Sequence, residues 1–196
     1  HRFVGSRIFG VQPSEVTPAM RSKVKAMSYG LVYGLSEYGL ARQLRIDSKE
    51  AKQLMADYFA RFGGVKTYLD LVVQKAKTLG YTTTVYGRRR PFPDLNSKIF
   101  QLRENARRAA LNAPIQGTAA DIMKLAMIKV HGLMLSAGLK SQLLLQVHDE
   151  LVFAVAPGEL EQLKVLAIEA MSDVAKLSVP LEVHIGIGAD WELAGH

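Results

Sequence analysis

Arg21, Lys25, Tyr29 and Tyr33 recur four residues apart. On an α-helix each step of four drifts only about 40° around the axis, so the four side chains form one stripe. Two cations followed by two aromatic rings on one face suit a nucleoside triphosphate, the cations meeting phosphate oxygens and a ring meeting the sugar or base. The same spacing also describes a solvated basic face whose tyrosines lie half in the core. A second group is the triplet His148-Asp149-Glu150, set between the apolar runs Leu143–Val147 and Leu151–Val155. An Asp between two strands is rigidly placed and partly desolvated, as a magnesium-binding carboxylate should be, and phosphoryl transfer uses such ions in pairs. Polar turns are common, so ordinary turn residues remain an alternative. The third group is Arg108, Asn112 and Gln116, approached by Arg88-Arg89-Arg90. Asn and Gln can donate to the minor-groove acceptors that every base pair offers in much the same place. Asn112 would equally serve as a helix C-cap before Pro114.

The elements that must position these residues follow from local signals. Thr17-Pro18 supplies a capping hydroxyl and a proline at the first helical position, opening a helix to Tyr33-Gly34. Ser36 caps the next helix and Ser48 another, whose Ala51, Leu54, Met55, Tyr58 and Phe62 keep helical spacing until Gly63-Gly64 ends it. A fourth helix through Tyr68, Leu71, Val72 and Ala76 stops at Gly80. Tyr81 to Tyr86 reads as a short strand before Gly87-Arg88-Arg89-Arg90-Pro91. A helix from Ser97 carries Arg103, Arg107 and Arg108 to Asn112, where Pro114 interrupts the pattern and Thr118 caps a new helix ending at Gly138. Leu143–Val147 and Leu151–Val155 form a hairpin, Pro157-Gly158-Glu159 leads into a helix to about Met171, and Leu181 to Ile187 reads as a final strand. Helices followed by mixed strands and helices predict an α+β fold, not a doubly wound sheet.

Composition sets the class. At 196 residues and 48% apolar, the chain can bury a continuous core. No apolar run spans a bilayer and no export signal is evident, so a soluble, unexported protein is expected. The absence of cysteine excludes disulfides, thiolate metal sites and a cysteine nucleophile. A net charge of +7 and a pI near 9.6 fit a polyanionic partner. The opening His1-Arg2-Phe3 has no methionine, and the chain is expected to be a piece of something longer.

Taken together, the spacings are specific. Arg21-x3-Lys25-x3-Tyr29-Gly30-x2-Tyr33-Gly34 resembles motif B of family A DNA polymerases, the bacterial DNA polymerase I type. Gln146-Val147-His148-Asp149-Glu150 resembles their motif C, and Asn112 through Asp121 resembles the stretch between the two. Gly87-Arg88-Arg89-Arg90 and the ending Val183 through Trp191 are also similar, so the resemblance spans essentially the whole chain.

The resemblance implies residues 1–95 as a helical fingers subdomain and 96–196 as the C-terminal part of a palm subdomain, with a soft boundary near residues 90 to 97. It implies that Arg21 and Lys25 bind the phosphates of an incoming deoxynucleoside triphosphate, the lysine also protonating the leaving pyrophosphate. His1, in the pattern His1-x7-Phe9-Gly10, falls where a further phosphate-contacting histidine is expected. Tyr29 would pack on the nucleotide sugar, a tyrosine there being associated with readier acceptance of dideoxynucleotides. Tyr33 would stand at the template insertion site. Arg108, Asn112 and Gln116 would contact primer-template DNA on its minor-groove side, with His148 near the primer end. Asp149 would ligate catalytic Mg2+, with Glu150 an accessory carboxylate. The family's motif A, an Asp followed by Tyr-Ser and Glu, would lie just before His1. Asp47, Asp57, Asp70, Asp94, Asp121, Asp173 and Asp190 all lack that context. Two-metal chemistry needs a carboxylate pair, so residues 1–196 alone are expected to be inactive and to need the remaining N-terminal part of the polymerase. A cytoplasmic location at the nucleoid follows from the same resemblance. Two rivals remain: a single-subunit phage-type RNA polymerase, and a non-catalytic helical DNA-binding module.

Overall fold

The computed structural model describes residues 1–195. By packing, the chain divides into two compact units, His1–Gln116 and Gly117–His196. The first is helical apart from one small hairpin, and the second combines helices with a two-stranded antiparallel sheet, the α+β class expected.

In the first unit α1 spans Arg2–Phe9, α2 Pro18–Val32, α3 Glu37–Leu44, α4 Ser48–Arg61 and α5 Gly63–Leu79. Met27 and Leu31 of α2, Leu40 and Ala41 of α3, and Ala51 and Tyr58 of α4 make one buried cluster, onto which α1 packs Val4, Ile8 and Phe9. Capping chemistry explains the helix starts. Met20 N–H donates to Thr17 Oγ1 at 3.2 Å, and Gly39 N–H donates to Ser36 Oγ at 3.2 Å. At α4 the cap is Asp47 rather than Ser48, since Glu50 N–H donates to Asp47 Oδ1 at 2.7 Å. The carboxylate wins because it is the stronger acceptor and bears a charge that suits a helix N-terminus. Gly63-Gly64 does not end α4 but opens α5. The break falls at Phe62, whose backbone leaves the helical region at φ −122°, ψ 51°. Gly80 terminates α5 with φ 79°.

The expected strand from Tyr81 is shorter, β1 Tyr81–Thr83, and it pairs antiparallel with β2 Arg89–Pro91. The largest difference comes next. A single helix, α6, runs Phe100–Ser136 straight through Pro114, so there is no interruption there and no new cap at Thr118. Asn112 therefore lies inside the helix and is not its C-cap. A proline costs a helix one backbone bond and a steric clash. Burial on both sides of it offsets that cost: Ala110, Leu111 and Ala113 before it and Met123, Ala126 and Val130 after it are all buried. Gly138, at φ 65°, follows the helix as expected.

In the second unit β3 Gln142–Val147 pairs with β4 Glu150–Ala154, and α7 Leu160–Ser172 lays Leu163 and Ala170 against Val130 and Met134 of α6. Leu151 and Phe153 of β4 close that core. A short α8, Trp191–Gly195, ends the described chain. The expected strand at 181–187 is absent: within the described residues of this unit, only β3 and β4 pair, and only with each other. Alternating apolar residues define a strand's face, but a ladder also needs a partner edge.

Candidate functional site

The α2 stripe forms as its spacing implies. Val24 and Met27, 0% and 1% exposed, anchor the buried face, and that orients Arg21, Lys25, Tyr29 and Tyr33 to the exposed one. Tyr29 is 50% exposed and Tyr33 42%. Among the described residues neither Arg21 nor Lys25 enters an ion pair, so both cations are uncommitted. Cations without a protein partner are available to phosphate oxygens.

His1 joins this stripe. Its ring centroid lies 5.9 Å from that of Tyr29, tilted by 59°. Gly5 sits at the packing of α1 in this region: a Cβ there would crowd Val16 Cγ1 at 3.1 Å and would meet Val24 Cγ2 of α2 at 3.6 Å, an ordinary contact. Nothing in the periodicity marks Gly5 for this, although an isolated glycine inside a helical pattern signals a close approach.

At its far end α2 closes in a Schellman motif. Leu35 N–H donates to Gly30 O at 2.7 Å and Gly34 N–H to Leu31 O at 3.0 Å, with Gly34 at φ 68°. Gly34 also abuts α6, because a Cβ on it would meet Leu111 Cδ1 at 2.8 Å and Arg108 Cγ at 3.2 Å. Tyr33 and Arg108 are thereby held on neighbouring elements of the first unit. Arg108, Asn112 and Gln116 follow one another at four-residue spacing along α6, and Arg108 donates to Asn105 Oδ1 at 2.7 Å. Arg108 and Gln116 are exposed, whereas Asn112 is half-buried and its Oδ1 has no hydrogen-bond partner among the described residues. An orphaned acceptor is costly, which marks Asn112 as a group awaiting a donor. In the β1–β2 hairpin, Arg89 stacks over Tyr81 at 4.8 Å and Arg90 over Phe92 at 5.3 Å.

In the second unit Val147 pairs with Glu150, leaving His148-Asp149 as a two-residue turn. His148 adopts φ 52°, a left-handed conformation costly for a non-glycine residue, and Gln146 Nε2 supports it by donating to His148 O at 2.7 Å. Asp149 and His148 are exposed and Glu150 is half-buried. Within its own unit Asp149 is not desolvated. Among the described residues no cluster of three or more His, Asp or Glu converges on a metal position. His1, Arg21, Lys25, Tyr29, Tyr33, Arg108, Asn112 and Gln116 lie in the first unit, and His148, Asp149 and Glu150 in the second.

Comparison with known proteins gives concordant matches. The family model described as DNA polymerase family A matches residues 1–193. DNA polymerase I of Mycobacterium tuberculosis strain ATCC 25618 / H37Rv is 57% identical over 196 residues, which is 100% of this chain and 22% of that protein. DNA polymerase I of Streptococcus pneumoniae serotype 4 is 44% identical over 192 residues, covering 97% of this chain and 22% of its own length. Among solved structures, the POL domain of Pol1 from M. smegmatis, in complex with DNA primer-template and dNTP, matches with a TM-score of 0.97 and 58% identity, over 100% of this chain and 35% of that one. The chain spans about a fifth of the length of the curated relatives it matches.

Proposed function

The chain belongs to DNA polymerase family A, and from that premise we propose that residues 1–196 are the part of a DNA-templated DNA polymerase that binds the incoming deoxynucleoside triphosphate and supplies carboxylate to the metal site at the primer 3′ end. The observation that carries this reading is the exposed α2 stripe: two unpaired cations and two half-exposed rings, with the His1 ring beside Tyr29. Residues 1–95 act as fingers and 96–196 as the C-terminal part of the palm. The partners are primer-template DNA, deoxynucleoside triphosphates and the rest of the polymerase chain, and the work is done in the cytoplasm at the nucleoid. Among the described residues no helix is long and apolar enough to cross a membrane.

In the reaction the primer 3′ hydroxyl gives up its proton to solvent, its oxygen attacks the α-phosphorus to form a new P–O bond, and the bond to pyrophosphate breaks, pyrophosphate leaving with the bonding electrons. Arg21 and His1 hold the phosphates through charge-assisted hydrogen bonds, and Lys25 gives its proton to the departing pyrophosphate. Tyr29 packs on the sugar and Tyr33 on the templating position. Arg108, Asn112 and Gln116 contact the minor-groove edge of the primer-template, where the unpaired Asn112 Oδ1 can accept from an exocyclic amino group. His148 lies near the primer end.

The donor chemistry of the turn fits Mg2+, which takes one or two carboxylates and fills its remaining positions with water and substrate phosphates. Asp149 would hold it, with Glu150 beside it as an accessory carboxylate. When bound there, the ion would supply a lowered pKa for the attacking hydroxyl and neutralisation of charge on the triphosphate. Two-metal chemistry needs a carboxylate pair, so in this reading Asp149 is half of the site, the other half belongs to the rest of the polymerase chain, and residues 1–196 alone do not extend a primer.

Primer extension by the full-length enzyme tests the reading. Asp149→Ala should abolish extension, and near-wild-type extension would overturn the metal role. Preference for deoxynucleotides over ribonucleotides separates this enzyme from a phage-type RNA polymerase. Preference for a primer-template junction over plain duplex separates it from a non-catalytic DNA-binding module.

A further inference from the structure

In the hairpin that carries Asp149, the leucines of β3 do not by themselves specify the register. β3 contains Leu143-Leu144-Leu145, with Leu144 and Leu145 half exposed, so a slip by one residue merely exchanges one leucine for another. The pairing is already irregular here, with Leu143 opposite Phe153 but Leu145 opposite Val152. A further slip would turn Glu150 to the opposite face of the sheet and displace the His148-Asp149 turn. Beside the two-residue turn and the buried Leu151 and Phe153 of β4, a contact at the base of the hairpin can hold the register.

At the end of the hairpin opposite the turn, Glu159 gathers three donors on one carboxylate. Lys140 N–H donates to Oε1 at 2.9 Å, and Ser141 N–H and Ser141 Oγ–H donate to Oε2 at 2.8 and 2.6 Å. The Ser141 hydroxyl, itself buried, accepts in turn from Ala156 N–H at 2.9 Å. Ser141 just before β3, Ala156 two residues beyond β4 and Glu159 at the N-cap of α7 are therefore tied at one point. Glu159 occupies the N-cap position of α7 yet caps nothing in its own helix. A shorter Ser or Asp would bond its own helix there, whereas the longer Glu reaches across to the strand. The turn Ala156-Pro157-Gly158-Glu159, with Gly158 at φ 84° and Glu159 N–H donating to Ala156 O at 3.1 Å, aims it.

We propose that Glu159, acting through Ser141, is a positioning residue that fixes the register of β3 against β4 and so holds Asp149 and Glu150 in place for metal binding. This rests on the polymerase reading of Asp149. Neither Glu159 nor Ser141 touches substrate. They act on the hairpin from its base, as outer-shell partners act on metal ligands.

The test uses the full-length enzyme with Glu159→Gln, Ser141→Ala, Ser141→Thr and Asp149→Ala. Glu159→Gln sets an amide N–H2 against the N–H of Lys140 or Ser141, and Ser141→Ala removes the bridge to Ala156. Each should lower kcat about tenfold and raise the Mg2+ concentration for half-maximal extension about tenfold, with the KM for nucleotide changed less than about twofold. Ser141→Thr keeps the hydroxyl and should restore both. Independently of activity, hydrogen exchange should quicken at the amides of Lys140, Ser141 and Ala156 and through β3–β4, with α2 to α4 unchanged. Wild-type rate and Mg2+ dependence in Glu159→Gln, with Asp149→Ala dead, would overturn the positioning role alone. So would a loss that tracks a fall in melting temperature with no Mg2+ shift. An active Asp149→Ala would instead remove the reading beneath it.

Discussion

Gly34 lies so close to Leu111 that a Cβ on the glycine would stand 2.8 Å from the leucine Cδ1. Its φ of 68° is a second demand that only glycine meets easily. Gly34→Ala should therefore both strain the backbone and crowd the Leu111 and Arg108 side chains of α6, at a cost of roughly 1–3 kcal/mol. Because Tyr33 precedes it and Arg108 faces it, the variant should also misplace the ring proposed for the template insertion site. Urea denaturation should show the lower stability, and extension past a mismatched template base should show the lower fidelity. Unchanged values of both would mean that the Gly34–Leu111 contact is not a constraint.

Arg21 and Lys25 share a stripe but not a role, and kinetics can separate them. Loss of charge-assisted hydrogen bonds costs about 1.5–3 kcal/mol, so Arg21→Ala should raise the nucleotide KM by one to two orders of magnitude. Lys25→Ala removes a general acid as well and should lower kcat by about 10²–10⁴. Lys25→Arg keeps the charge but cannot release a proton, so it should recover KM without recovering kcat. Full recovery of kcat by arginine would rule out proton donation by Lys25.

Gly5 lies on α1, four residues after His1, and packs close to Val16 and Val24. Gly5→Val would drive a branched side chain into Val16 and Val24, both buried, and should lower the melting temperature. If the His1 placement serves nucleotide binding, the rise in nucleotide KM should match that of His1→Ala. Equal KM values for Gly5→Val and wild type would separate His1 from the nucleotide.

Much of this was legible in the sequence because it is local. A cap such as Thr17 or Ser36 acts within three residues, the α2 stripe is set by helical period, and the His148–Glu150 turn is bracketed by its own strands. Three features were not. Pro114 reads as a helix end, and only the burial of Ala110, Leu111 and Ala113 before it and Met123 after it shows why α6 continues. Residues 181–187 alternate like a strand, but the pattern says nothing of a partner. Glu159 meets Ser141 across 18 residues of chain, a contact that exists only once the hairpin and α7 have formed.

The Glu159 carboxyl also makes a prediction about acid. The backbone N–H of Lys140 and the Ser141 hydroxyl and N–H all donate to its ionised form, and together they hold its pKa below the ordinary 4.5. A carboxyl whose pKa is lower in the folded than in the unfolded state stabilises the fold above the unfolded value, and that contribution fades as pH falls through the folded one. The stability difference between wild type and Glu159→Gln should thus be constant at neutral pH, begin to shrink near pH 4.5 and continue to shrink below it. Protonation breaks the clamp from the side of the glutamate, so Ser141→Ala should show the same acid-sensitive loss. Melting curves from neutral pH into acid would measure it, and a difference that stayed constant below the ordinary glutamate range would show that the carboxylate's charge does not hold the hairpin.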